Sequence, residues 1–357
     1  MTLYREIEES KRVYPAEQAI QSFRNVTEIA ADLSEVRIYR TMDGKWLYRG
    51  NNGDAIPCVT ATSDYQQIEG YAAALVKEEK EEIDGTAMRF LFRTAFECRF
   101  CYNKIVSLHA ACIELDGFAI AFTGPSGVGK STRALAWIHA WGAKLISGDR
   151  PAVRIEKTAS TACGVPWDGK ERVFRDVEKP LRCILEVRRS SSNYLRRLSR
   201  EQAQKLIVQQ SFVPMWDTDA AFMAMANVNA LIRKTPVYRV FCGPDEDSAR
   251  AIYDILIHHP ELIREEAKDM KIKEGFILRD VMDEHIVMPT GDNIAKFEGA
   301  VVLNEVSAFI YKLLEHPMCR EDLLAAIVSE YDVDEATAAE DLDALLNKLA
   351  EMGVLEK

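Results

Sequence analysis

The sequence predicts a mixed chain in three parts: an N-terminal α+β region over residues 1–104, an α/β (α+β) phosphate-loop domain over 105–263, and a winged-helix-like module of three strands and three helices over 272–357. Three observations carry this. The run Gly124-Pro-Ser-Gly-Val-Gly-Lys-Ser-Thr132 stands between a stretch of strand composition and one of helical composition. An Asp116-Gly117 pair separates two β-rich runs just before it. The last third of the chain passes from short strand-like runs to helices with apolar residues at i, i+3, i+4 and i+7.

The first hundred residues mix strand-like runs, Val36 to Arg40 and Lys45 to Tyr48, with turn residues at Asn51 to Asp54. A helical pattern follows from about Ala87 to Tyr102, with Phe90, Leu91, Thr94, Ala95 and Cys98 on one side. The Cys98-x-x-Cys101 pair lies on this apolar face, and no second pair follows at zinc spacing.

From Ile105 to Thr123 the Asp-Gly pair predicts a hairpin, because both central positions of a type I′ turn require φ > 0. The strand that feeds the glycine-rich loop is therefore expected to pair antiparallel with the one before it. The loop itself satisfies GxxxxGK[ST]. Glycines let successive N–H groups turn inward onto phosphate oxygens, and the helix beginning near Lys130 adds its positive end. Gly124, Ser126, Gly127, Val128, Gly129, Lys130, Ser131 and Thr132 form the expected ATP cradle. Lys130 would reach the β- and γ-phosphates and Ser131 would ligate Mg²⁺.

After the loop helix, Trp141-Gly-Ala-Lys-Leu-Ile-Ser-Gly-Asp149 reads as an apolar strand ending in a carboxylate, which can hold Mg²⁺ or accept a hydroxyl proton. Between Lys157 and Pro260, strands (Cys183 to Val187, Val237 to Phe241) alternate with helical stretches, near Arg200 to Gln210 and Ser248 to His258. The Gly-rich loop Gly164 to Glu171 offers Lys170 and Glu171 as further polar groups. The charged run Arg264 to Lys273 reads as a linker.

In the last segment, strands are expected at Phe276 to Val281, His285 to Pro289 and near Val301. The first helix spaces Val306, Phe309, Ile310, Leu313 and Leu314 on one face, and the last Leu342, Leu345, Leu346, Leu349 and Met352. Asn304 and Asp334 are the expected N-caps, and Gly353 the stop.

Composition limits the function classes. With 48% apolar and 28% charged residues the chain is an ordinary folded protein rather than a disordered one. Net charge is −11, and from Lys271 onward eight Lys/Arg stand against nineteen Asp/Glu, so the acidity belongs to the tail. With no basic stripe, nucleic acid is not an expected partner. The N-terminus lacks the apolar core of a signal peptide and no run reaches membrane-span length, so the expectation is a cytoplasmic protein with reduced thiols and no membrane partner.

The stretch from His109 through Gly124 to Ser131, Gly142 and Asp149 resembles the catalytic core of the bacterial HPr kinase/phosphorylase family. In that family a His lies on the strand before the hairpin, and the apolar strand after the loop helix ends in paired aspartates. The resemblance implies an HPr-kinase-like domain using ATP and Mg²⁺, with His109, Lys130 and Asp149 catalytic and Ser131 and Asp149 metal-binding. Gly148 stands in place of the first aspartate. Leu185-Glu-Val-Arg-Arg-Ser begins like the segment needed for the reverse reaction but lacks its glycines, so phosphorylase activity is not implied.

Leu303 to Leu314, Glu321-Asp-Leu-Leu, Glu330-Tyr-Asp-Val-Asp, Asp341 and Leu349 to Leu355 are similar to the PqqD-type peptide chaperones, the recognition elements of ribosomally made, post-translationally modified peptide pathways. That resemblance implies a leader peptide added as a strand to the wing sheet. Together the two imply a peptide serine/threonine kinase acting on a precursor peptide. The alternative is an ATP-hydrolysing peptide chaperone or switch with no transfer to peptide. A homo-oligomer is compatible with either.

Overall fold

The computed structural model describes residues 1–15, 26–33, 36–50, 57–72, 81–167, 174–265, 270–281, 284–294 and 301–356. The chain divides into two compact units, Met1–Glu265 and Glu266–Lys357. The expected turn at Asn51 to Asp54, and Lys170 and Glu171, lie outside the described residues.

The first unit opens with α1 (Leu3–Ser10), β1 (Arg12–Pro15), β2 (Val26–Asp32), β3 (Val36–Thr41), β4 (Trp46–Gly50), β5 (Cys58–Ala61) and β6 (Ile68–Ala72). The strands form a sheet in the order β1-β6-β5-β4-β3-β2, antiparallel except for β1 with β6. Helix α2 (Glu81–Tyr102) lies on this sheet. Its Leu91, Phe92, Ala95, Phe96 and Phe100 share a core with Val36, Ile38, Tyr48, Val59 and Ile68. That core continues into Ala152, Cys163 and Trp167, so the N-terminal region and the region of the glycine-rich loop are packed as one body.

The second sheet contains β7 (Ile105–Ser107), β8 (Ala110–Leu115), β9 (Phe118–Thr123), β10 (Lys144–Ser147), β11 (Ala152–Ile155), β12 (Ser160–Cys163), β13 (Glu178–Arg189), β14 (Tyr194–Arg197), β15 (Val237–Cys242) and β16 (Arg264–Glu265). Its helices are α3 (Lys130–Trp141), α4 (Arg200–Gln209), α5 (Thr218–Lys234) and α6 (Glu246–Ile257). The hairpin forms as expected: β8 and β9 pair antiparallel around Asp116 (φ 52°) and Gly117 (φ 82°). On its other side β9 runs parallel to β13, which runs parallel to β15.

Two expectations are corrected. Ile105 to Leu115 reads as a single strand carrying His109, but the strand breaks there, and His109 sits between β7 and β8. The backbone leaves the ladder to bond loops instead: His109 N–H donates to the Gln210 carbonyl (2.7 Å) and Ala110 N–H to the Asp149 carbonyl (2.8 Å). The charged run 264–273 is likewise not linker throughout. Its first two residues pair with β14, and Lys271–Ile272 forms a strand of the second unit.

The second unit contains β17 (Lys271–Ile272), β18 (Phe276–Val281), β19 (Glu284–Pro289), β20 (Val301–Leu303), α7 (Glu305–Leu313), α8 (Arg320–Glu330), α9 (Glu335–Glu351) and β21 (Leu355–Glu356). Strands β18-β19-β20 form an antiparallel sheet, and β17 pairs with β21. The Asn304 side chain accepts from Ser307 N–H at 2.8 Å and Asp334 from Thr337 N–H at 3.0 Å, so both expected caps hold helix starts. Tyr311, Leu314, Leu323, Leu342 and Leu349 are fully buried in one core, each of the four leucines contributing about 1.5–3 kcal/mol of burial. Among the described residues no helix is long and apolar enough to cross a membrane.

Candidate functional site

The glycine-rich loop joins β9 to α3 through three glycines at positive φ, Gly124 (134°), Gly127 (78°) and Gly129 (103°). At Gly129 the requirement is doubled, because a Cβ there would also fall 2.3 Å from the Arg133 guanidinium. Lys130 is the first residue of α3 and is buried. Its Nζ donates to the carbonyls of Gly124 (3.0 Å) and Pro125 (3.2 Å), so the ammonium closes the loop onto its own backbone. Burial lowers the Lys130 pKa, and the nearby Asp149 carboxylate opposes that shift. Two arginines brace the loop: Arg133 Nη1 reaches the Val128 carbonyl at 3.5 Å while its Nη2 donates to the Cys242 carbonyl at the end of β15 (3.0 Å), and Arg189 Nη2 donates to the Gly127 carbonyl at 2.8 Å. Ser131 and Thr132 stand exposed on the first turn of α3, and a cavity of about 600 Å³ opens over Gly127, Gly129, Thr132, Arg133 and Arg189.

Asp149 lies two residues beyond β10, which runs antiparallel to β8 as β9 does, so the loop and this carboxylate emerge at the same edge of the sheet. Its Oδ1 is 3.3 Å from His109 Nε2. The His109 hydrogen bond holds the Asp149 carboxyl below the ordinary carboxylate range; burial opposes this and Arg150 assists it. His109 and Asp149, distant in sequence, are thus in contact, and Lys130 lies within reach of the Asp149 charge. Backbone N–H groups of the loop, a hydroxyl on the first helical turn, an ammonium and an ionised carboxylate form a donor set that fits a nucleotide triphosphate with Mg²⁺.

Glu186, not singled out from the sequence, is a buried charged residue next to the strand that feeds the loop. It lies on β13, opposite Thr123 of β9, and is buried between Arg239 Nε (2.8 Å) and Arg188 Nη2 (2.9 Å). The available signal was a carboxylate inside the apolar run Cys183 to Val187. Cys98 and Cys101 are core residues of α2; burial pushes the Cys101 thiol up to about 12 and the Cys98 thiol well above its ordinary value, which keeps both protonated.

In the second unit, β20 pairs with β19 and has no second partner strand among the described residues. Beside it, between β20, α7 and α9, lies a groove of about 570 Å³. Val302, Val306, Ile310, Leu342 and Leu345 supply its apolar lining, with Asn304, Asp341 and Lys348 as polar groups. An unpaired strand edge next to an apolar trough is the geometry that accepts an extended peptide.

Residues 284–355 match the family model for coenzyme PQQ synthesis protein D (PqqD). The C-terminal unit therefore carries a PqqD-like domain. Among solved structures, the chain is similar to TbiB1 in complex with the TbiA(beta) leader peptide, at 29% identity over 24% of this chain and 94% of that one, with a TM-score of 0.21. It is also similar to the HPr(Ser) kinase/phosphatase from Coxiella burnetii, at 11% identity over 43% of this chain and 96% of that one, with a TM-score of 0.26. No curated protein matches the chain.

Proposed function

We propose that the chain is an ATP-dependent kinase that phosphorylates a Ser or Thr hydroxyl of a ribosomally synthesised precursor peptide. Residues 105–263 do the chemistry in the cytoplasm, and residues 272–357 hold the peptide's leader. The observation that carries this reading is the convergence of Lys130 with the His109–Asp149 pair at one sheet edge.

In this reading the Lys130 ammonium exchanges the Gly124 and Pro125 carbonyls for the β- and γ-phosphate oxygens and bears the charge that develops there. The loop N–H groups and the N-terminus of α3 fix the triphosphate. His109 orients Asp149, whose carboxylate is ionised at neutral pH and accepts the hydrogen bond of the attacking hydroxyl. A Mg²⁺ held by Ser131 and Asp149 would neutralise charge between the β- and γ-phosphates. The groove beside β20 holds the leader as an added strand, and the tether raises the concentration of the acceptor segment at the nucleotide.

Gly148, where the resembling family has a carboxylate, favours a second reading in which water replaces the peptide hydroxyl and the protein is an ATP-driven peptide chaperone or switch. Intact-mass spectrometry of a precursor encoded beside this chain's gene separates the two. One added phosphate, lost with Lys130→Ala and on deleting residues 272–357, is the expected result. An unchanged mass with peptide-stimulated ADP formation would replace the kinase by the switch.

A further inference from the structure

We infer that Glu97, on a helix of the N-terminal region, is a positioning residue that clamps both segments carrying the His109–Asp149 pair. The inference rests on the kinase reading of that pair and gives residues 1–104 a part in the active site.

Glu97 sits on α2, on the face that otherwise buries Phe96, Phe100 and Cys101, and is only 2% exposed. Burying a carboxylate costs several kcal/mol unless partners compensate. Two of its three side-chain partners lead to the site. Its Oε1 accepts a 2.6 Å hydrogen bond from Ser107 Oγ, and Ser107 is the last residue of β7, two before His109. The same oxygen lies 3.7 Å from Arg150 Nη1, and Arg150 directly follows Asp149. Arg150 in turn places Nε 3.9 Å from Asp149 Oδ2. The remaining oxygen, Oε2, faces Arg93 Nε at 3.8 Å, one turn back on the same helix.

One carboxylate oxygen thus ties two segments that belong to different strands. The His109 segment has left its ladder and bonds through single backbone contacts to Gln210 and Asp149. Asp149 stands beyond the end of β10. The two backbones are joined directly, Leu108 N–H donating to the Pro151 carbonyl (3.1 Å) and Ala110 N–H to the Asp149 carbonyl (2.8 Å), so what α2, packed on its sheet, adds through Glu97 is the placing of side chains: it holds Arg150, which flanks the Asp149 carboxylate. Misplacing a reacting group by about 1 Å can cost roughly a hundredfold in rate.

The test uses the full-length chain with Mg²⁺, ATP and the precursor, and reads ADP formation, which both transfer to peptide and transfer to water produce. Glu97→Gln keeps an acceptor for Ser107 but loses the charge that holds Arg150. The expected result is a fall in kcat of about tenfold or more, with KM for ATP within about twofold of the wild type and the melting temperature retained. In an Arg150→Met background, Glu97→Gln is expected to add little, because the Arg150 arm is already gone. Losses that multiply independently, or an effect confined to KM or melting temperature, would overturn the clamp. If Glu97→Gln does not fold, Ser107→Ala removes the other arm alone; a lowered kcat supports the clamp and an unchanged kcat overturns it. If the wild type turns over no ATP, the kinase reading fails by itself. The clamp is then read from crystal structures of wild type and Glu97→Gln. A His109–Asp149 separation wider than the present 3.3 Å in the variant supports it, and an unmoved pair overturns it.

Discussion

Filling the groove beside β20 tests peptide capture without touching the catalytic unit. Ala344 is exposed on α9 and lines the groove, so Ala344→Trp places a large ring in the trough at little cost to the core. A peptide strand added to the three-residue edge Val301–Leu303 gains about two or three backbone hydrogen bonds, each contributing roughly 1 kcal/mol net. Each apolar side chain it lowers between Val306, Leu342 and Leu345 adds about 1.5–3 kcal/mol when buried. An indole occupying part of a 570 Å³ groove denies one such side chain its place. The loss of about 1.5–3 kcal/mol raises Kd roughly ten- to hundredfold. Val328→Trp is the control: Val328 is 39% exposed on α8 and outside the groove lining, so the same bulk there should leave binding unchanged. The assay is fluorescence anisotropy of a labelled leader segment from the precursor encoded beside this chain's gene. Ala344→Trp binding within twofold of the wild type, or an equal loss with Val328→Trp, would refute the groove as the peptide site.

Replacing Lys130 by Met should lower phosphoryl transfer about a thousandfold, as expected for removing a donor aimed at developing charge; stopped-assay turnover above a tenth of the wild-type rate would contradict its role. Asp149, whose folded pKa is depressed, contributes stability that is present above its unfolded value near 3.9 and is lost as pH falls through the folded value. The melting-temperature advantage of wild type over Asp149→Asn should therefore be full at pH 6 and shrink as pH falls below about 4; a constant or growing difference on acidification would refute the pairing. Arg239→Met leaves buried Glu186 with Arg188 alone and should cost about 2–3 kcal/mol in urea unfolding, somewhat less than stripping a buried ion of all its partners. Glu186→Leu combined with Arg239→Met should recover most of that loss, and a double variant as unstable as the single would contradict the account.

What the sequence determined by itself is what short-range geometry dictates. The Asp116-Gly117 turn and the glycines of the loop after β9 are legible because they need positive φ, a property of single residues. The helix starts at Asn304 and Asp334 are legible because a cap and its N–H lie three residues apart. Helix α5 was harder to read, because Phe222 and Met223 face solvent (71% and 41% exposed) and blur its apolar stripe.

Tertiary structure decided which charges meet. His109 reaches Asp149 because a strand breaks where loops offer better backbone partners, and no local periodicity encodes that break. Glu186 meets Arg239 because β13 and β15 run parallel in register. Glu97 meets Ser107 and Arg150 only once α2 is packed against β7 of the second sheet. A carboxylate in an apolar run announces that it must find partners, since its burial is otherwise costly. Which partners it finds depends on how strands and helices pack, and that is settled by contacts between residues distant in sequence.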